Sequence, residues 1–248
     1  GCGLLMELYN ELIREREGLL EGTPSRRWDY EAGMSWPDTG ESELVLMRDA
    51  AYELGGGGKQ AVHFTCVTTS PVLVERDEIL LWGPDLRELR GDAPYARIAL
   101  LRVGDIESDD GDDTVAYNAI KDMEFVRYHV FPRGYMLRFS AESGREQVRV
   151  SKTALQDGIS FQKVGCDFIR CYRKNPNVLA VKLIFITAPD GPYRALADCG
   201  RRSTEITRTL CTILDGLPMD CSACHLKPVC DEVEGMRELH FGRSGGKN

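Results

Sequence analysis

The sequence predicts an α/β fold in which a layered mixed sheet has flanking helices on its faces. Three observations support this prediction. Segments rich in Val, Ile and Leu alternate with segments of helical periodicity, an order typical of α/β domains. An amphipathic helix is expected at the N-terminus, before the first strand. A cysteine-rich metal-binding segment is expected at the C-terminus, after the last long helix.

Residues 1–42 are predicted to form an N-terminal helix followed by an irregular segment. Leucine and isoleucine recur at helical spacing between residues 4 and 20, and Glu and Arg fill the positions between them. This pattern gives a helix with one buried stripe. Residues 23–42 are polar and contain Pro24 and Pro37, which indicates an irregular surface segment.

The main α/β domain is predicted over residues 43–216 and begins with short strands. The strands are expected at 43–47, 61–67, 78–82 and 97–103. A run of four glycines at 55–58, followed by Lys59, resembles a phosphate-binding loop. However, Gln60 stands where that motif needs Ser or Thr, so a flexible hairpin turn is the preferred interpretation.

The second half of this domain is predicted to continue the alternation of strands and helices. An acidic loop at 105–113 precedes a helix that runs to about residue 128. Further elements are then expected: a hairpin at 135–139 and 146–150, a short helix capped by Ser151 and ended at Gly158, a helix at 161–174, a strand at 178–187 and a helix at 192–214.

The composition excludes some classes of function. The chain has 248 residues and a formal net charge of −8, so it lacks the basic excess of a general nucleic-acid-binding surface. The most apolar stretch, 178–187, is interrupted by Lys182 and is shorter than the ~20 residues that a membrane span needs. Residues 1–22 do not have the pattern of a signal peptide, and a cytoplasmic location is therefore expected.

The cysteines at the C-terminus have a spacing typical of a metal centre. Cys221, Cys224 and Cys230 form a C-x2-C-x5-C pattern within residues 217–241. Two thiolates separated by two residues can bind one metal, and the third can close the loop over it. A 4Fe–4S cluster needs four ligands, and Cys211, at the end of the preceding helix, is the preferred fourth. Cys199 and Cys2 are weaker candidates.

Two alternatives to this cluster remain open. His225 could complete a zinc site with the three cysteines, although it directly follows Cys224 and is awkwardly placed to bind the same ion. The cysteines could also be cytosolic thiols that bind no metal. Residues 242–248, beyond this segment, are expected to be a disordered tail.

A second candidate site lies where a predicted strand meets a predicted helix. Arg149 and Lys152 flank this junction, and cations near the start of a helix suit phosphate groups. Coenzyme A is therefore a candidate ligand for Arg149 and Lys152. The alternative interpretation is that both side chains are solvated surface cations.

Three segments resemble a known family when they are taken in order. They are Tyr-Glu-Leu-Gly-Gly at 52–56, Ile-Leu-Leu-Trp-Gly-Pro-Asp-Leu at 79–86 and Val-Arg-Val-Ser-Lys at 148–152. Their order and spacing, followed by a strong strand, a long helix and a Cys-x-x-Cys, resemble the middle region of the acetyl-CoA synthase subunit of the carbon monoxide dehydrogenase/acetyl-CoA synthase complex. The resemblance covers roughly residues 45–230.

The resemblance also implies a context for the cysteines. In that family the cysteines after the long helix begin a nickel–iron–sulfur centre that joins CO, a methyl group and coenzyme A. Cys221 and Cys224 match the first pair, and Cys230 follows at a shorter spacing than the family's third cysteine. No cysteine follows Cys230 here, and the later Cys-Gly-Cys that holds the second nickel has no counterpart. A plain 4Fe–4S cluster is therefore expected in place of a nickel centre.

These observations imply an accessory iron–sulfur protein. The expected role is electron transfer, assembly or another accessory function in anaerobic one-carbon or corrinoid metabolism, with a corrinoid or carbon monoxide dehydrogenase-type protein as partner. Two alternatives remain. One is an enzyme that transfers an acyl or methyl group with coenzyme A at a metal centre, where nickel would be the diagnostic metal. The other is a zinc-stapled binding module.

Overall fold

The computed structural model describes residues 2–35, 47–104, 136–140 and 144–214. The helices are α1 (Cys2–Leu20), α2 (Lys152–Gln156), α3 (Phe161–Tyr172) and α4 (Tyr193–Leu214), and a short 3-10 turn spans Met47–Asp49. The strands are β1 (Arg26–Asp29), β2 (Ala50–Leu54), β3 (Ala61–Thr68), β4 (Glu78–Trp82), β5 (Tyr95–Val103), β6 (Met136–Ser140), β7 (Gln147–Ser151) and β8 (Val178–Ile186).

The strands form two sheets. The larger has the order β1-β4-β8-β5-β3, and it is mixed: the β4–β8 and β5–β3 pairs are parallel, whereas β1–β4 and β8–β5 are antiparallel. The smaller sheet has the order β2-β7-β6 and is antiparallel. Strands and helices therefore alternate around a mixed sheet, as the sequence predicts.

Helices cover both faces of the five-stranded sheet, and this explains why its strands are apolar along most of their length. In β5, Arg97 faces the same side as the ring of Phe168 on α3, and Arg97 is only 1% exposed. On the opposite face, β3 packs against α1 and α4, and Phe64 lies next to Gly200 of α4. The fold therefore has three layers, with the core on both sides of the central strands.

Local signals fix where the two helices that follow β7 begin. The Ser151 hydroxyl oxygen accepts a hydrogen bond from the backbone N–H of Ala154 at 3.3 Å, which caps α2 as predicted. Ser160 caps α3 in the same way, through the N–H of Lys163 at 3.2 Å. The chain leaves α2 at Gly158, whose φ of 85° is the left-handed conformation that favours glycine.

Most predicted elements are confirmed with shifts of one or two residues at their ends. The strand at 78–82 matches β4, and the strands at 61–67, 97–103 and 178–187 match β3, β5 and β8. The helices at 161–174 and 192–214 match α3 and α4. The predicted hairpin is confirmed as the antiparallel β6–β7 pair. The predicted helix after the acidic loop lies outside the described residues, as does the segment from 215 onward.

Three predictions in the first third of the chain need correction. The strand expected at 43–47 lies outside the described residues except for Met47, which belongs to the 3-10 turn and not to a strand, and β2 at 50–54 was not predicted. Residues 23–42 were expected to be irregular, but β1 forms within them because its backbone pairs with β4. The glycine run is a turn but not a hairpin, since β2 pairs with β7 and β3 pairs with β5. Gly55, Gly57 and Gly58 have positive φ there, which lets the chain pass from one sheet to the other.

Candidate functional site

Helix α4 precedes three of the four cysteines of the predicted metal centre in the sequence. Its first half is fixed against the sheet, because Leu196, Cys199 and Ser203 are all fully buried. The helix continues to Leu214, so the backbone of Cys211 lies in its last turn. Cys221, Cys224 and Cys230 lie outside the described residues, and the metal centre stays a prediction. Thiolate sulfurs are soft ligands, so the set of four cysteines suits an iron–sulfur cluster or zinc.

The other cysteines with described side chains are separate packing elements. Cys66 and Cys166 are fully buried, and Cys171 is partly buried against the core. Cys199 is buried between α1 and α4, with its sulfur 3.9 Å from a Glu15 carboxylate oxygen and 3.7 Å from an Arg202 nitrogen. Within the described side chains, those of residues 6–35, 47–104 and 144–206, no group of three or more His, Cys, Asp or Glu could hold a metal ion.

The candidate coenzyme A residues have partners within the protein. The Nε of Arg149 donates to a Glu53 carboxylate oxygen at 3.3 Å, and both side chains are mostly buried. The ammonium group of Lys152 is exposed and donates to the backbone carbonyl of Arg48 at 3.1 Å. The helix that Lys152 begins, α2, has only five residues and is already capped by Ser151. Coenzyme A binding stays a prediction, in which a phosphate group competes with Glu53 for Arg149.

The three segments that resemble acetyl-CoA synthase contact one another. The Tyr52 hydroxyl donates to the carbonyl of Leu86, and burial raises the pKa of Tyr52. The backbone N–H of Glu53 donates to Asp92 at 2.7 Å, and its side chain accepts the hydrogen bond from Arg149. The segments at 52–56, 79–86 and 148–152 thus meet at the junction between the two sheets.

Asp85 connects this junction to helix α3. Its Oδ1 accepts hydrogen bonds from the backbone N–H groups of Leu86 at 2.7 Å and Phe161 at 2.9 Å. The second bond supplies an acceptor to the first turn of α3, where backbone N–H groups have no partner within the helix. Gly83, in the same segment, has a φ of 110°, and a Cβ there would lie 2.4 Å from the backbone nitrogen of Ala188. In the described residues this segment therefore has a structural role.

Sequence reasoning missed two buried arginines. Arg97 is 1% exposed and forms an ion pair with Glu146 at 2.5 Å. Arg16, on α1, is 3% exposed and pairs with Glu17 at 3.2 Å, but two of its nitrogens have no hydrogen-bond acceptor among the described residues. Arg97 gave a readable signal, because it begins a predicted strand whose next four residues are apolar. Arg16 gave none, since Arg is common on the polar face of an amphipathic helix.

Comparison with protein-family models and with curated proteins returns no match for this chain. The family resemblance therefore depends on the three ordered segments alone. Among the described helices, none is long and apolar enough to cross a lipid bilayer.

Proposed function

We propose that this chain is an iron–sulfur protein related to the middle region of acetyl-CoA synthase. In this proposal Cys211, Cys221, Cys224 and Cys230 bind a 4Fe–4S cluster. The protein acts in electron transfer, in assembly or as another accessory module in anaerobic one-carbon or corrinoid metabolism. The single observation that carries the proposal is the C-x2-C-x5-C spacing after a long helix that has a cysteine in its last turn.

The anchoring of helix α4, which precedes the cysteine segment in the sequence, supports this proposal. The first half of α4 packs on β3 and α1, and the Tyr193 hydroxyl donates to the carbonyl of Ala188 at 2.6 Å at its start. A helix anchored in this way positions the backbone of Cys211 relative to the sheet. A 4Fe–4S cluster, when bound, supplies one-electron transfer, and the chain supplies its thiolate ligands.

The experiment is a metal analysis of protein purified or reconstituted without oxygen. We expect about four iron and four sulfide ions per chain and a broad absorbance near ~400 nm. Cys221→Ser and Cys211→Ser should each lower the iron content and the absorbance. Cys171→Ser is the matched control, since Cys171 lies on α3, on the other side of the sheet from α4, and it should retain both signals.

A different metal would support one of the two alternative functions. One zinc per chain without iron would support the zinc-stapled binding module. Stoichiometric nickel would support the alternative enzyme that transfers an acyl or methyl group with coenzyme A. Protein that folds but binds no metal, under conditions that reconstitute a known iron–sulfur protein, would contradict the proposal.

A further inference from the structure

Strand β1 forms one edge of the five-stranded sheet. Among the described strands it pairs with β4 alone, so in that part of the chain its other side has no neighbouring strand. Arg27 and Asp29 are exposed on this strand, with 54% and 72% of their side chains accessible to solvent. An edge strand presents backbone N–H and C=O groups to which a further strand can add. β1 is therefore a candidate interaction surface.

The pairing of β1 with β4 determines which backbone groups face outward. Tyr30, directly after β1, donates its N–H to the carbonyl of Asp77 at 3.3 Å and continues the same antiparallel register. Hydrogen-bonded positions alternate along an antiparallel pair. Trp28 therefore also directs its backbone groups to β4, whereas Arg27 and Asp29 direct theirs away from the sheet. The outward-facing groups thus belong to two residues of opposite charge.

The charges of Arg27 and Asp29 favour one way of pairing with a second copy of the chain. When two identical strands pair antiparallel about a two-fold axis, outward-facing residues lie opposite outward-facing residues. An axis at Arg27 places two arginines opposite each other, and an axis at Asp29 does the same with two aspartates. An axis at Trp28 instead places Arg27 opposite Asp29 of the partner subunit, and the symmetry repeats this pair. Since directly opposed like charges are unfavourable, the axis at Trp28 is preferred.

Trp28 adds an aromatic contact to that register. It occupies a position without hydrogen bonds to the added strand, where opposed side chains come closest. Its ring is partly buried against the core, on the face where its partner in β4, Ile79, packs against Gly165 of α3. The two rings meet across the axis, and opposed aromatic side chains stabilise a sheet. Arg27 and Asp29 lie on the other face, because side chains alternate along a strand.

The present partners of Arg27 and Asp29 are compatible with this interface. Arg27 lies 3.5 Å from Glu78, and Asp29 lies 3.1 Å from Arg76. Each pair includes a side chain that is more than half exposed, and exposed ion pairs hold their members weakly. A guanidinium group has five N–H donors and a carboxylate accepts several hydrogen bonds. Both residues can therefore keep their present partners and take a second one across the axis.

We propose that β1 is a homodimer interface, at which two copies pair antiparallel about Trp28 and join their five-stranded sheets into one continuous sheet. The contact supplies about four backbone hydrogen bonds, an ion pair on each side of the axis and one aromatic pair. It is short compared with the ~20–30 residues per partner of a standard interface. We expect a weak dimer, with a dissociation constant of about 100 μM. This inference is independent of the metal centre proposed above.

The experiment measures the mass of the full chain by analytical ultracentrifugation in reducing buffer, at concentrations up to about 1 mM. We expect the average mass to rise with concentration from the 27.8 kDa of one chain toward twice that value. Arg27→Asp and Asp29→Arg should each weaken the dimer at least about tenfold, because each places like charges opposite each other. A native chain that stays monomeric throughout would overturn the proposal.

Two combinations of these substitutions test the register. The double variant Arg27→Asp with Asp29→Arg exchanges the two charges, restores opposite charges across the axis and should dimerise about as tightly as the native chain. An equimolar mixture of the two single variants should form a mixed dimer more tightly than either variant pairs with itself, for the same reason. If neither combination recovers the dimer, the register centred on Trp28 is wrong and the proposal is overturned.

Arg14→Asp is the control for the change in net charge. Arg14 is 55% exposed and also pairs with one carboxylate, that of Glu7, but it lies on α1. This variant should dimerise like the native chain. Circular dichroism verifies folding, and Asp29→Arg, which leaves the pair of Arg27 and Glu78 intact, tests the interface even if Arg27→Asp unfolds the protein. A dimer that the substitutions in β1 leave unchanged, or that Arg14→Asp weakens equally, would overturn the proposal.

Discussion

Two buried arginines lie on opposite faces of the five-stranded sheet, and they differ in how well their charges are compensated. Arg97 donates to Glu146 through Nε at 3.1 Å and Nη2 at 2.5 Å, and through Nη1 to the Tyr172 hydroxyl at 3.2 Å. Its guanidinium carbon also lies 4.6 Å from the centre of the Phe168 ring. Arg16, by contrast, pairs only with the partly exposed Glu17 in the part of the chain that the structure describes, and two of its nitrogens have no hydrogen-bond acceptor there.

The pKa values of the two buried arginines shift in opposite directions. Burial alone would lower the pKa of Arg97, but Glu146 more than offsets this, and the pKa of Arg97 is raised above its ordinary value. The pKa of Arg16 is lowered, because burial is its dominant influence. Arg97 of β5 forms an ion pair with Glu146, the residue before β7, and this ion pair connects the two sheets. Arg16 makes no comparable connection among the described residues.

The largest expected effect comes from removing the partner of Arg97. Glu146→Gln leaves a buried guanidinium without its counter-charge, and we expect it to lower the free energy of unfolding by about 3–5 kcal/mol. Urea denaturation at pH 7 measures this change. Glu53→Gln is the matched control, because Glu53 pairs with the less buried Arg149, and its expected cost is about 1 kcal/mol.

A double variant distinguishes lost pairing from lost packing. Arg97→Met combined with Glu146→Leu removes both charges, and we expect it to recover most of the lost stability. If the double variant is as unstable as Glu146→Gln, packing rather than charge holds the sheets together at this point. If Glu146→Gln costs no more than Glu53→Gln, the description of Arg97 as the well-compensated arginine is wrong.

A smaller effect is expected from replacing one glycine by alanine on each face of the five-stranded sheet. A Cβ at Gly165 of α3 would lie 2.7–2.9 Å from three Ile79 atoms, whereas one at Gly200 of α4 would lie 3.2 Å from Phe64. Gly165→Ala should destabilise the protein by about 1–3 kcal/mol through overpacking. Gly200→Ala should be close to neutral, since alanine favours helix over glycine by about 1 kcal/mol. Thermal unfolding of both variants tests this, and equal losses would contradict the closer packing of the α3 face.

Local patterns made much of the fold predictable. β8 is a long apolar run that precedes a helix of regular periodicity, and Ser151 marks the start of α2 through capping chemistry. β1 was not predictable, because Arg26–Asp29 is mostly exposed and is a strand through its pairing with β4. β2 was missed for a similar reason, since its partner β7 lies far along the chain.

The candidate sites also differ in whether the local sequence could predict them. The cysteine spacing is a local pattern and can be read from the sequence. The pair Arg97 and Glu146 is separated by 49 residues, and no local rule joins them. Cys66 and Ser203 are 137 residues apart, so their contact emerges only from the packing of α4 on β3.

The smallest expected effect is that of Arg16→Met, and comparing it with Arg97→Met separates the two arginines most sharply. Arg97→Met should lower the free energy of unfolding by about 3–5 kcal/mol, because it leaves the buried Glu146 carboxylate without its counter-charge. Arg16→Met removes a buried charge whose partner, Glu17, is 40% exposed, and it keeps an apolar side chain of similar length. We expect it to leave the free energy of unfolding unchanged or to raise it by up to about 1 kcal/mol.

Urea denaturation at pH 7 compares the two variants. Equal losses of unfolding free energy for Arg16→Met and Arg97→Met would mean that Arg16 has strong acceptors in solution, and the contrast between the two arginines would be wrong.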